Sequence, residues 1–528
     1  MRALGVLLLA TAVSADPLPE GGSLVLTSPE AGTLLLADRG EVDVRWKAEG
    51  LPESAYVRVQ YRVGTSRWYT ATGGSYVPIV RGRFLVRIGR IREKGAIAIG
   101  LRYLTPHAPK TWTVSSRGGL KAIETRVRPG DTVVCTVDAI DAGVGLPAGV
   151  TLRGAPGTGT SVIFGKRNGV GITLYGVPGF ATPTRVDGFR FRVGPQAPPR
   201  MAGFPHGIQV RGGTAELVDC VFDPGLGTGV QGDFGARIVA RGCRFEIPGG
   251  SGIHIKGRGT SVDVRGGVFT RSGYGVQGQG DTVVAVRDAT FEGLSYAAVR
   301  INGRRARSVH LETCRVRKQR TGFSLQVLDR AVVRDCTIEV SDVAIHVNGE
   351  LPIREGRAVR LQTRAEVIIE KNHIRGATIG VRAQDVLDCI VRGNIFDRID
   401  AVGVQFDCPG TIENNRMRGT RRPSDYAPPE FHPAWQLGTI GVLYGLERRD
   451  AKPIIRGNVL HGCSRAAIVF VGGAQATVAD NEFDGNLAKP SQRISVASNK
   501  QRETLRKRWN QTRARWEQKH PEERKRRR

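Results

Sequence analysis

Short runs of alternating apolar and polar residues recur along most of the chain, and this pattern predicts an all-β protein. Between residues 22 and 115 the runs are separated by Pro, Gly and Ser clusters. Examples lie at residues 41–46, 56–61 and 83–88. Several short strands over about a hundred residues are typical of a small antiparallel β-sandwich. We therefore predict a β-sandwich over residues 16–115.

Beyond residue 116 the alternation becomes periodic. An apolar anchor, preceded two positions earlier by a small or polar residue, recurs about every 21 to 25 residues apart from two longer intervals. Such a period predicts a solenoid of three-stranded coils, because no coil could bury its apolar side chains alone. Leucine-rich repeats need Leu at these positions and propellers need a period of about 40–50 residues, so both fit less well. The pairs are Cys220/Phe222, Cys243/Phe245, Gly267/Phe269, Ala289/Phe291, Cys314/Val316, Cys336/Ile338, Asn372/Ile374, Asn394/Phe396, Asn415/Met417, Asn458/Leu460 and Asn481/Phe483.

The start of the periodic region carries a more specific pattern. Residues 128–134 read RPGDTVV, residues 146–154 read LPAGVTLRG and residues 161–164 read SVIF. This succession resembles the first coils of secreted right-handed parallel β-helix proteins, a superfamily that includes pectate lyases, polygalacturonases, alginate epimerases and NosD-like repeat proteins. The resemblance implies a single-stranded right-handed parallel β-helix of about 11–13 coils over residues 116–498. The preceding sandwich resembles immunoglobulin or fibronectin type III modules.

The residue two positions before each anchor predicts an internal ladder. It is mostly Cys before about residue 340 and Asn after it. Stacked Asn side chains hydrogen-bond from coil to coil, and Cys packs as a small apolar group. Cys220 and Cys243, like Cys314 and Cys336, could be bridged, but we expect reduced cysteines packed in the core. The eight cysteines include no C-x-x-C pair and no spacing typical of zinc.

The N-terminus predicts export from the cytoplasm. Arg2 is followed by an apolar stretch over residues 4–13 and by small residues before Asp16. This is typical of a secretory signal peptide cleaved after Ala15, and the stretch is too short to span a bilayer. The alternative is a buried strand. We expect a mature protein that is secreted, periplasmic or at the cell surface, without a transmembrane segment.

The net charge of the chain indicates what kind of molecule it could bind. The chain of 528 residues has 78 Lys and Arg against 49 Asp and Glu, a net charge of +29. An apolar content of 40% excludes global disorder, and a single short apolar run excludes a polytopic membrane protein. Outside the cytoplasm a nucleic acid is a poor candidate partner. The charge instead suits an acidic polysaccharide or a cell-envelope polymer, because it raises the local concentration of anionic chains. We expect a monomer.

The C-terminal residues 499–528 differ from the coils in composition and in residue pattern. They are highly basic, end in RKRRR and lack β alternation. Leu505, Trp509 and Trp516 fall at helical spacing. Two interpretations stay open: a cationic anchor for an anionic surface, or a helix that caps the last coil and a basic tail.

Alternation within the coils also predicts an outer polar surface. If the apolar residues point inward, the residues between them form two rows on one face. The rows are rich in amides, His and Arg, which favours a glycan groove over a merely solvated face. The first row is Gln209, Gln231, His254, Gln277, Arg300, Ser324, His346, Arg382 and Gln405. The second row is Arg211, Asp233, Lys256, Gln279, Asn302, Gln326, Asn348, Gln384 and Asp407.

Aromatic side chains beside these rows have two possible roles. Inserted loops lie at residues 195–206, 349–361 and 420–439, and the last contains Tyr426, Phe431, His432 and Trp435. Such rings either stack on sugars or cover the flank of the solenoid. In the sandwich, Trp46, Trp68 and Trp112 either form a sugar platform or, as we expect, pack in a core. We predict substrate binding by Gln231, Asp233, Gln277, Gln279, Asn302, Gln326, His346, Asn348, Arg382, Gln384, Gln405, Asp407, Tyr426 and Trp435.

The residue types in the two rows also limit which reactions the protein could catalyse. A glycosidase needs two carboxyl groups beside one bond, whereas Asp233 and Asp407 lie several coils apart. The polygalacturonase and epimerase signatures are absent, and no carboxylate cluster suits calcium, so we expect no metal or cofactor. A metal-independent β-elimination needs a base and a cation that neutralises the uronate carboxylate. His254, Lys256 and Arg300 are the candidate catalytic residues for that reaction.

Two classes of function therefore stay open. The first is a secreted polysaccharide lyase acting on anionic glycan. The second is a non-catalytic adhesive or structural envelope protein, or a NosD-like periplasmic accessory protein. Fold alone does not choose between them.

Overall fold

A computed structural model describes most of the chain. The described residues are 5–10, 18–28, 34–36, 41–53, 55–63, 69–70, 77–87, 97–104, 107–155, 159–164, 169–176, 182–194, 205–302, 306–349, 365–384, 386, 388–400, 402–420, 438–443, 452–463, 466–471, 476–483 and 494–497.

Two small sheets form the N-terminal region. One has the strand order β3-β1-β9-β5-β6 with β7 also on β5, and the other has the order β2-β4-β8. Apart from the parallel pair β1–β9, the pairings are antiparallel. The strands are β1 (Gly5–Ala10), β2 (Ser23–Ser28), β3 (Leu34–Leu36), β4 (Glu41–Glu49), β5 (Tyr56–Val63), β6 (Tyr69–Thr70), β7 (Val77–Pro78), β8 (Arg83–Arg87) and β9 (Ile97–Leu104).

Both sheets contribute to one apolar core, which supports the predicted sandwich. Val44 on β4 and Val59 on β5 are fully buried in the same cluster. Trp46 also lies in this cluster, and its Nε1 donates to the Ile79 carbonyl at 3.0 Å. Trp46 is therefore a core residue, as expected, while Trp68 lies outside the described residues.

The apolar N-terminal stretch forms a strand in this structure. Gly5–Ala10 pairs with Leu34–Leu36 on one side and with Ile97–Leu104 on the other. An apolar run of this length suits a strand as well as a signal peptide. Cleavage after Ala15 stays a prediction.

The described residues between 111 and 497 form a parallel β-solenoid of about 12 turns. Helix α1 (Gly119–Ile123) is its one described helix. The strands are β10 (Thr111–Val114), β11 (Thr132–Cys135), β12 (Ala139–Asp141), β13 (Val144–Pro147), β14 (Thr151–Arg153), β15 (Thr160–Phe164), β16 (Val170–Tyr175), β17 (Thr184–Asp187), β18 (Phe189–Val193), β19 (His206–Arg211), β20 (Thr214–Val218), β21 (Val221–Phe222), β22 (Thr228–Asp233), β23 (Arg237–Arg241), β24 (Arg244–Glu246), β25 (Ser251–Lys256), β26 (Ser261–Thr270), β27 (Tyr274–Gln279), β28 (Val283–Glu292), β29 (Ala297–Asn302), β30 (Ala306–Glu312), β31 (Arg315–Gln319), β32 (Thr321–Arg334), β33 (Thr337–Val340), β34 (Val343–Asn348), β35 (Glu366–Glu370), β36 (His373–Arg375), β37 (Ile379–Gln384), β38 (Asp388–Arg392), β39 (Ile395–Asp397), β40 (Val402–Asp407), β41 (Gly410–Glu413), β42 (Arg416–Thr420), β43 (Gly438–Leu443), β44 (Ile454–Arg456), β45 (Val459–Cys463), β46 (Ala466–Val471), β47 (Thr477–Ala479), β48 (Glu482–Phe483) and β49 (Ile494–Ala497).

Each coil has three strand positions, as the repeat predicts. In one coil, β34, β35 and β36 occupy the first, second and third positions, and they pair in parallel with β37, β38 and β39 of the next coil. In some coils one long strand spans two positions, as β28 and β32 do. Within the solenoid, parallel pairing begins at β10, which pairs with β11. The predicted domain limits at residues 115 and 498 stay predictions.

The described chain divides into two compact units. The first comprises residues 1–244 and 253–262, and the second comprises residues 245–252 and 263–528.

The predicted internal ladder is present in the second unit. Asn394 Nδ2 donates to Asn415 Oδ1 at 2.9 Å and to the Ile369 carbonyl at 2.9 Å. The same Asn-to-Asn bond joins Asn372 to Asn394 and Asn415 to Asn458. Each Asn therefore satisfies buried polar groups of two coils at once. Replacing one of them would leave buried donors or acceptors without partners, which destabilises the fold.

Four cysteines occupy the ladder position in earlier coils, and Gly267 and Ala289 occupy it in two others. Cys220, Cys243, Cys314 and Cys336 are buried and unbridged, as expected. In the first unit Cys243 Sγ contacts the Leu217 carbonyl at 3.6 Å. Anchor rings stack nearby, and in the second unit Phe269 lies 4.6 Å from Phe245 and 4.8 Å from Phe291 between ring centres.

A left-handed residue turns the chain before each ladder position. Asp335 precedes Cys336 with φ 54, and Asn414 precedes Asn415 with φ 55. Such a conformation favours Asn, Asp and Gly. The turn explains why short polar residues recur there.

The glycine at residue 380, which begins one of the short alternations, is required by packing. A Cβ atom on Gly380 would lie 2.5 Å from the Gly403 carbonyl oxygen and 2.6 Å from Phe396 Cδ1. The anchor ring therefore packs directly over the glycine backbone, which leaves no room for a side chain.

Candidate functional site

The outward side chains of the first-position strands form what we term the polar face of each unit. In the first unit, strand register aligns Thr173, Gln209 and Gln231 in one row. It aligns Tyr175, Arg211 and Asp233 in a second row. Since paired strands lie about 4.8 Å apart, neighbours in a row are within reach of one ligand.

In the second unit the polar face is longer. Register confirms the alignment of the two predicted sets of residues, although it does not test their roles. The first row runs Gln277, Arg300, Ser324, His346, Arg382 and Gln405. The second row contains Gln279 opposite Asn302, and the run Gln326, Asn348, Gln384 and Asp407.

Asp233 is the centre of a polar cluster in the first unit. Its side chain is buried, with 5% exposed. Gln209 Nε2 lies 3.5 Å from Asp233 Oδ2, and Gln231 also hydrogen-bonds this carboxyl group. Among the described residues, Asp233 Oδ1 has no hydrogen-bond partner. A buried carboxyl oxygen without a donor is a costly arrangement and a candidate contact for a ligand.

Burial raises the pKa of Asp233, and the positive charges of Arg211 and Lys256 only partly oppose that rise. Arg211 also lies over the Phe234 ring, with its guanidinium carbon 5.4 Å from the ring centre. Because its pKa is raised, Asp233 takes up a proton at a higher pH than a free aspartate does.

His206 belongs to the same cluster and was missed by the sequence patterns. Burial lowers the pKa of His206, and the nearby positive charges of His254 and Lys256 lower it further. Its imidazole is therefore neutral, and able to accept a proton, at physiological pH. His206 stands at the start of β19, outside the alternation that selected the two rows.

His346 is the most perturbed histidine of the second unit. Burial lowers its pKa to about 4, and the charge of the neighbouring Arg382 adds to the shift. Nε2 of His346 is buried without a hydrogen-bond partner among the described residues. His346 is thus a neutral side chain with an open polar atom, which fits ligand binding better than anion capture.

The three predicted catalytic residues fall in different units. His254 and Lys256 lie with His206 in the first unit, whereas Arg300 lies in the second. There, Arg300 Nη1 donates to the Tyr274 hydroxyl, and its guanidinium carbon lies 5.1 Å from the Tyr274 ring centre. The grouping of these residues as one catalytic centre stays a prediction.

Exposure along the polar face is uneven. Gln231 and Gln405 are 6% and 1% exposed, although both belong to the predicted outward row. Among the described residues, neither amide atom of Gln405 has a partner. Tyr426, Phe431, His432 and Trp435, and the side chain of Asp407, lie outside the described residues.

The other faces of the second unit carry a different pattern, which the sequence analysis missed. Register aligns alternating charges along the second-position strands, and we call this row ladder one. A similar row on the third-position strands is ladder two. Ladder one is Arg287, Glu312, Arg334, Glu370, Arg392, Glu413 and Arg456. Ladder two is Glu292, Arg317, Glu339, Arg375, Asp397, Arg418 and His461.

Many ladder members are in direct contact. Arg334 Nη2 lies 2.6 Å from Glu312, and Arg392 and Arg456 each lie 2.7 Å from Glu370 and Glu413 respectively. In ladder two, Arg317 Nη2 lies 2.8 Å from Glu292. Hydrogen bonds from Lys318 and Arg317 lower the pKa of Glu292. The ladders therefore neutralise most of their own charge.

Metal and membrane features can be stated for the described residues. Within the ranges given above, no group of three His, Cys, Asp or Glu side chains could hold a metal ion. In the same ranges no helix combines the length and apolarity needed to cross a bilayer.

The fold defines the class of protein. Residues 206–351 and 275–427 match the family model described as right handed beta helix region. The matches cover less than half of the chain, and together with the observed solenoid they confirm the predicted resemblance to right-handed parallel β-helix proteins. No curated protein sequence matches this chain significantly.

Solved structures give distant likenesses only. The catalytic domain of a GH87 alpha-1,3-glucanase in complex with tetrasaccharides has a TM-score of 0.35 and 9% identity, over 91% of this chain and 98% of that one. The Yersinia enterocolitica family 28 exopolygalacturonase has a TM-score of 0.31 and 11% identity, over 84% and 96%. A PL6 alginate lyase complexed with a trisaccharide has a TM-score of 0.34 and 12% identity, over 74% and 88%. Likenesses this weak carry no argument about function.

Proposed function

We propose that the polar face binds an extended anionic polysaccharide outside the cytoplasm. The observation that carries this proposal is the register of hydrogen-bonding side chains on successive coils. In the second unit Gln277, Arg300, Ser324, His346, Arg382 and Gln405 stand opposite one another in one row. A repeating polymer meets equivalent donors and acceptors at each coil spacing, and this multiplies weak contacts.

The distribution of charge supports an anionic ligand. Within the described part of the chain, Arg300 forms no salt bridge with a carboxylate, whereas Arg334, Arg392 and Arg456 of ladder one do. Cations without carboxylate partners on the polar face can pair with carboxylate or sulfate groups of a polymer.

Metal-independent β-elimination is the second candidate function. A cation beside a uronate carboxylate would make the neighbouring C–H proton more acidic, and a neutral histidine could accept that proton. The double bond then forms as the C–O bond to the leaving sugar breaks, and the leaving oxygen takes a proton from a protonated side chain or from water. His206, His254 and Lys256 supply these groups in the first unit, and the lowered pKa of His206 favours its neutral form. The original set of His254, Lys256 and Arg300 is the alternative assignment of the same roles.

The test is incubation of the full chain with uronate and sulfated polysaccharides, without added metal. Co-sedimentation reports binding, and ultraviolet absorbance reports unsaturated products. Salt-sensitive binding without product supports a non-catalytic binder, and new absorbance supports a lyase. Absence of both for every polymer overturns the proposal.

A matched pair of variants locates the binding face. Arg211→Gln with Lys256→Gln should weaken binding about tenfold or more. The control, Arg237→Gln with Arg241→Gln, removes the same charge from exposed positions of β23 in the same unit. Equal losses from both variants would show that only total charge matters.

A further inference from the structure

Two tyrosines and an arginine meet on adjacent coils of the second unit. Tyr274 on β27 stands opposite Ala297 on β29, so Tyr296 lies one residue before that pair. The Tyr274 and Tyr296 rings stack with centres 4.9 Å apart and planes at 22°. Arg300 contacts the same Tyr274 ring and its hydroxyl group. Tyr274 thus holds an aromatic ring and a cation in fixed positions beside each other.

Tyr296 is unusually exposed for a large aromatic residue, at 52% of its surface. Its stacking partner Tyr274 is half-buried and restrains it. A rigid ring open to solvent offers an apolar surface to the C–H groups of a pyranose at low entropic cost.

Arg300 differs from the ladder arginines in what it contacts. Ladder arginines lie against carboxylates, whereas the described contacts of Arg300 are with Tyr274. Its planar guanidinium keeps further N–H donors for a bidentate carboxylate. Gln277 stands opposite Arg300 in register, and its Oε1 accepts a 2.9 Å hydrogen bond from Ser251 Oγ. This bond orients the Gln277 amide N–H group toward other acceptors.

We propose that Tyr296, Tyr274 and Arg300 form a subsite for one hexuronate residue. The pyranose ring stacks on Tyr296, and its carboxylate pairs with Arg300, whose position Tyr274 maintains. Gln277 donates to a hydroxyl or ring oxygen of the same sugar. The subsite rests on the proposed function and names its ligand class as uronate.

The test is calorimetric titration of the full chain with hexamers of galacturonate and of mannuronate, and with a neutral galactose hexamer. Tyr296→Ala should lower uronate affinity about tenfold, while Tyr296→Phe, which keeps the ring, should retain it. Arg300→Gln should lower uronate affinity about 10-fold to 100-fold and leave neutral-hexamer binding unchanged. Arg300→Lys keeps the positive charge but loses the paired guanidinium N–H donors. Its uronate affinity should therefore lie between those of the parent chain and of Arg300→Gln.

The control variant is Arg315→Gln, an exposed arginine on β31 of the same unit. It should bind uronate hexamers like the parent chain. Thermal unfolding of each variant checks that the fold is kept, and Tyr296→Ala alters an exposed side chain with little effect expected on stability.

The outcomes separate the subsite from the proposed function. If Tyr296→Ala and Arg300→Gln both bind uronate hexamers as tightly as the parent chain does, the subsite is overturned. The proposal that the polar face binds polysaccharide is then unaffected. Equal loss for neutral and uronate hexamers in Arg300→Gln overturns the uronate assignment. Failure of the parent chain to bind any uronate overturns the subsite, and the proposed function falls with it only if sulfated polysaccharides also fail to bind.

Discussion

The polar face and ladder one of the second unit share the same backbone geometry but treat charge in opposite ways. In ladder one, Arg334 and Arg392 each lie within 2.7 Å of a glutamate on an adjacent coil. On the polar face, Arg300 contacts an aromatic residue, and amides fill most neighbouring positions. The spacing of coils is the same for both, so the difference lies only in side-chain choice.

This difference shows how an arginine-rich solenoid can bind anions on one face selectively. An arginine paired with glutamate has little net field, because the charges cancel within a few ångströms. An arginine without such a partner can attract a polymer. The ladders therefore suppress competition for an anionic ligand, while exposed ion pairs of this kind add little stability.

The largest expected effect comes from breaking ladder one. Glu312→Gln, Glu370→Gln and Glu413→Gln together leave Arg334, Arg392 and Arg456 in register without carboxylate partners among the described residues, while Arg287 keeps Asp263. Affinity for an immobilised sulfated polyanion should rise about 100-fold at low salt and fall steeply as salt increases. Retention on the polyanion against salt concentration measures the change.

A charge-matched control sharpens that test. Glu49→Gln, Glu53→Gln and Asp480→Asn remove three exposed carboxylates that lie outside the ladders. If this control gains as much affinity as the ladder variant, net charge and not ladder pairing governs selectivity.

The pH dependence of stability at His346 tests whether this part of the polar face is shielded from water. Its pKa falls to about 4 in the folded chain, against an ordinary 6.5, so stability is complete above pH 6.5 and is lost as pH decreases toward 4. Between pH 7 and pH 5 the loss attributable to His346 should be about 2 kcal/mol. Urea unfolding of the parent chain and of His346→Gln measures it, and equal pH dependence in both would contradict a buried neutral imidazole.

Asp233 should tune ligand binding in the first unit. Because burial raises its pKa, protonation begins above the ordinary 3.8 as pH falls, and removes the negative charge beside Arg211 and Lys256. Affinity for an anionic polymer should therefore rise with acidification. Asp233→Asn should bind about tenfold more tightly at neutral pH and lose that pH dependence. Weaker binding by Asp233→Asn would instead make the carboxylate a direct ligand contact.

The raised pKa of Asp233 also determines whether its carboxyl group stabilises or destabilises the folded chain at a given pH. Asp233 favours folding most when protonated, below pH 3.8, and that contribution is lost as pH rises through its folded pKa. Asp233→Asn should thus be at least as stable as the parent chain at neutral pH.

The smallest effect is expected from a single ladder substitution. Glu413→Gln removes one partner of Arg456 at the surface, and should cost less than about 1 kcal/mol of unfolding free energy. Chemical denaturation measures it. A loss of several kcal/mol would make the ladders a main source of stability instead of a charge-cancelling device.

Several features followed from local patterns. The anchor Phe396, the ladder residue Asn394 and Gly380 each recur at the repeat interval, so the coil, its internal ladder and its close glycine packing were predictable. The alternation likewise identified the residues of the polar face. His206 was not predictable because it lies outside the alternating positions, and the buried state of Asp233 depends on neighbouring coils.

The charge ladders illustrate the same limit. Arg392 is separated from both Glu370 and Glu413 along the chain, and the pattern becomes visible only when strand register places the three side by side. Equally, the alternation placed Arg300 on the polar face but did not show that Arg300 contacts Tyr274 whereas Arg334 contacts Glu312. Their different partners follow from which residues the adjacent coils present.

The period, the inward and outward positions and the internal ladder of Asn and Cys follow from the sequence alone, because these depend on side-chain alternation within one coil. Tertiary structure decided which charges cancel, which polar groups are buried and which aromatic ring stays open, because those properties depend on contacts between residues about one repeat apart. Stacking at a fixed spacing of about 4.8 Å converts a one-dimensional repeat into rows of neighbours, and it is the composition of each row that separates a charge-neutral face from a candidate binding face.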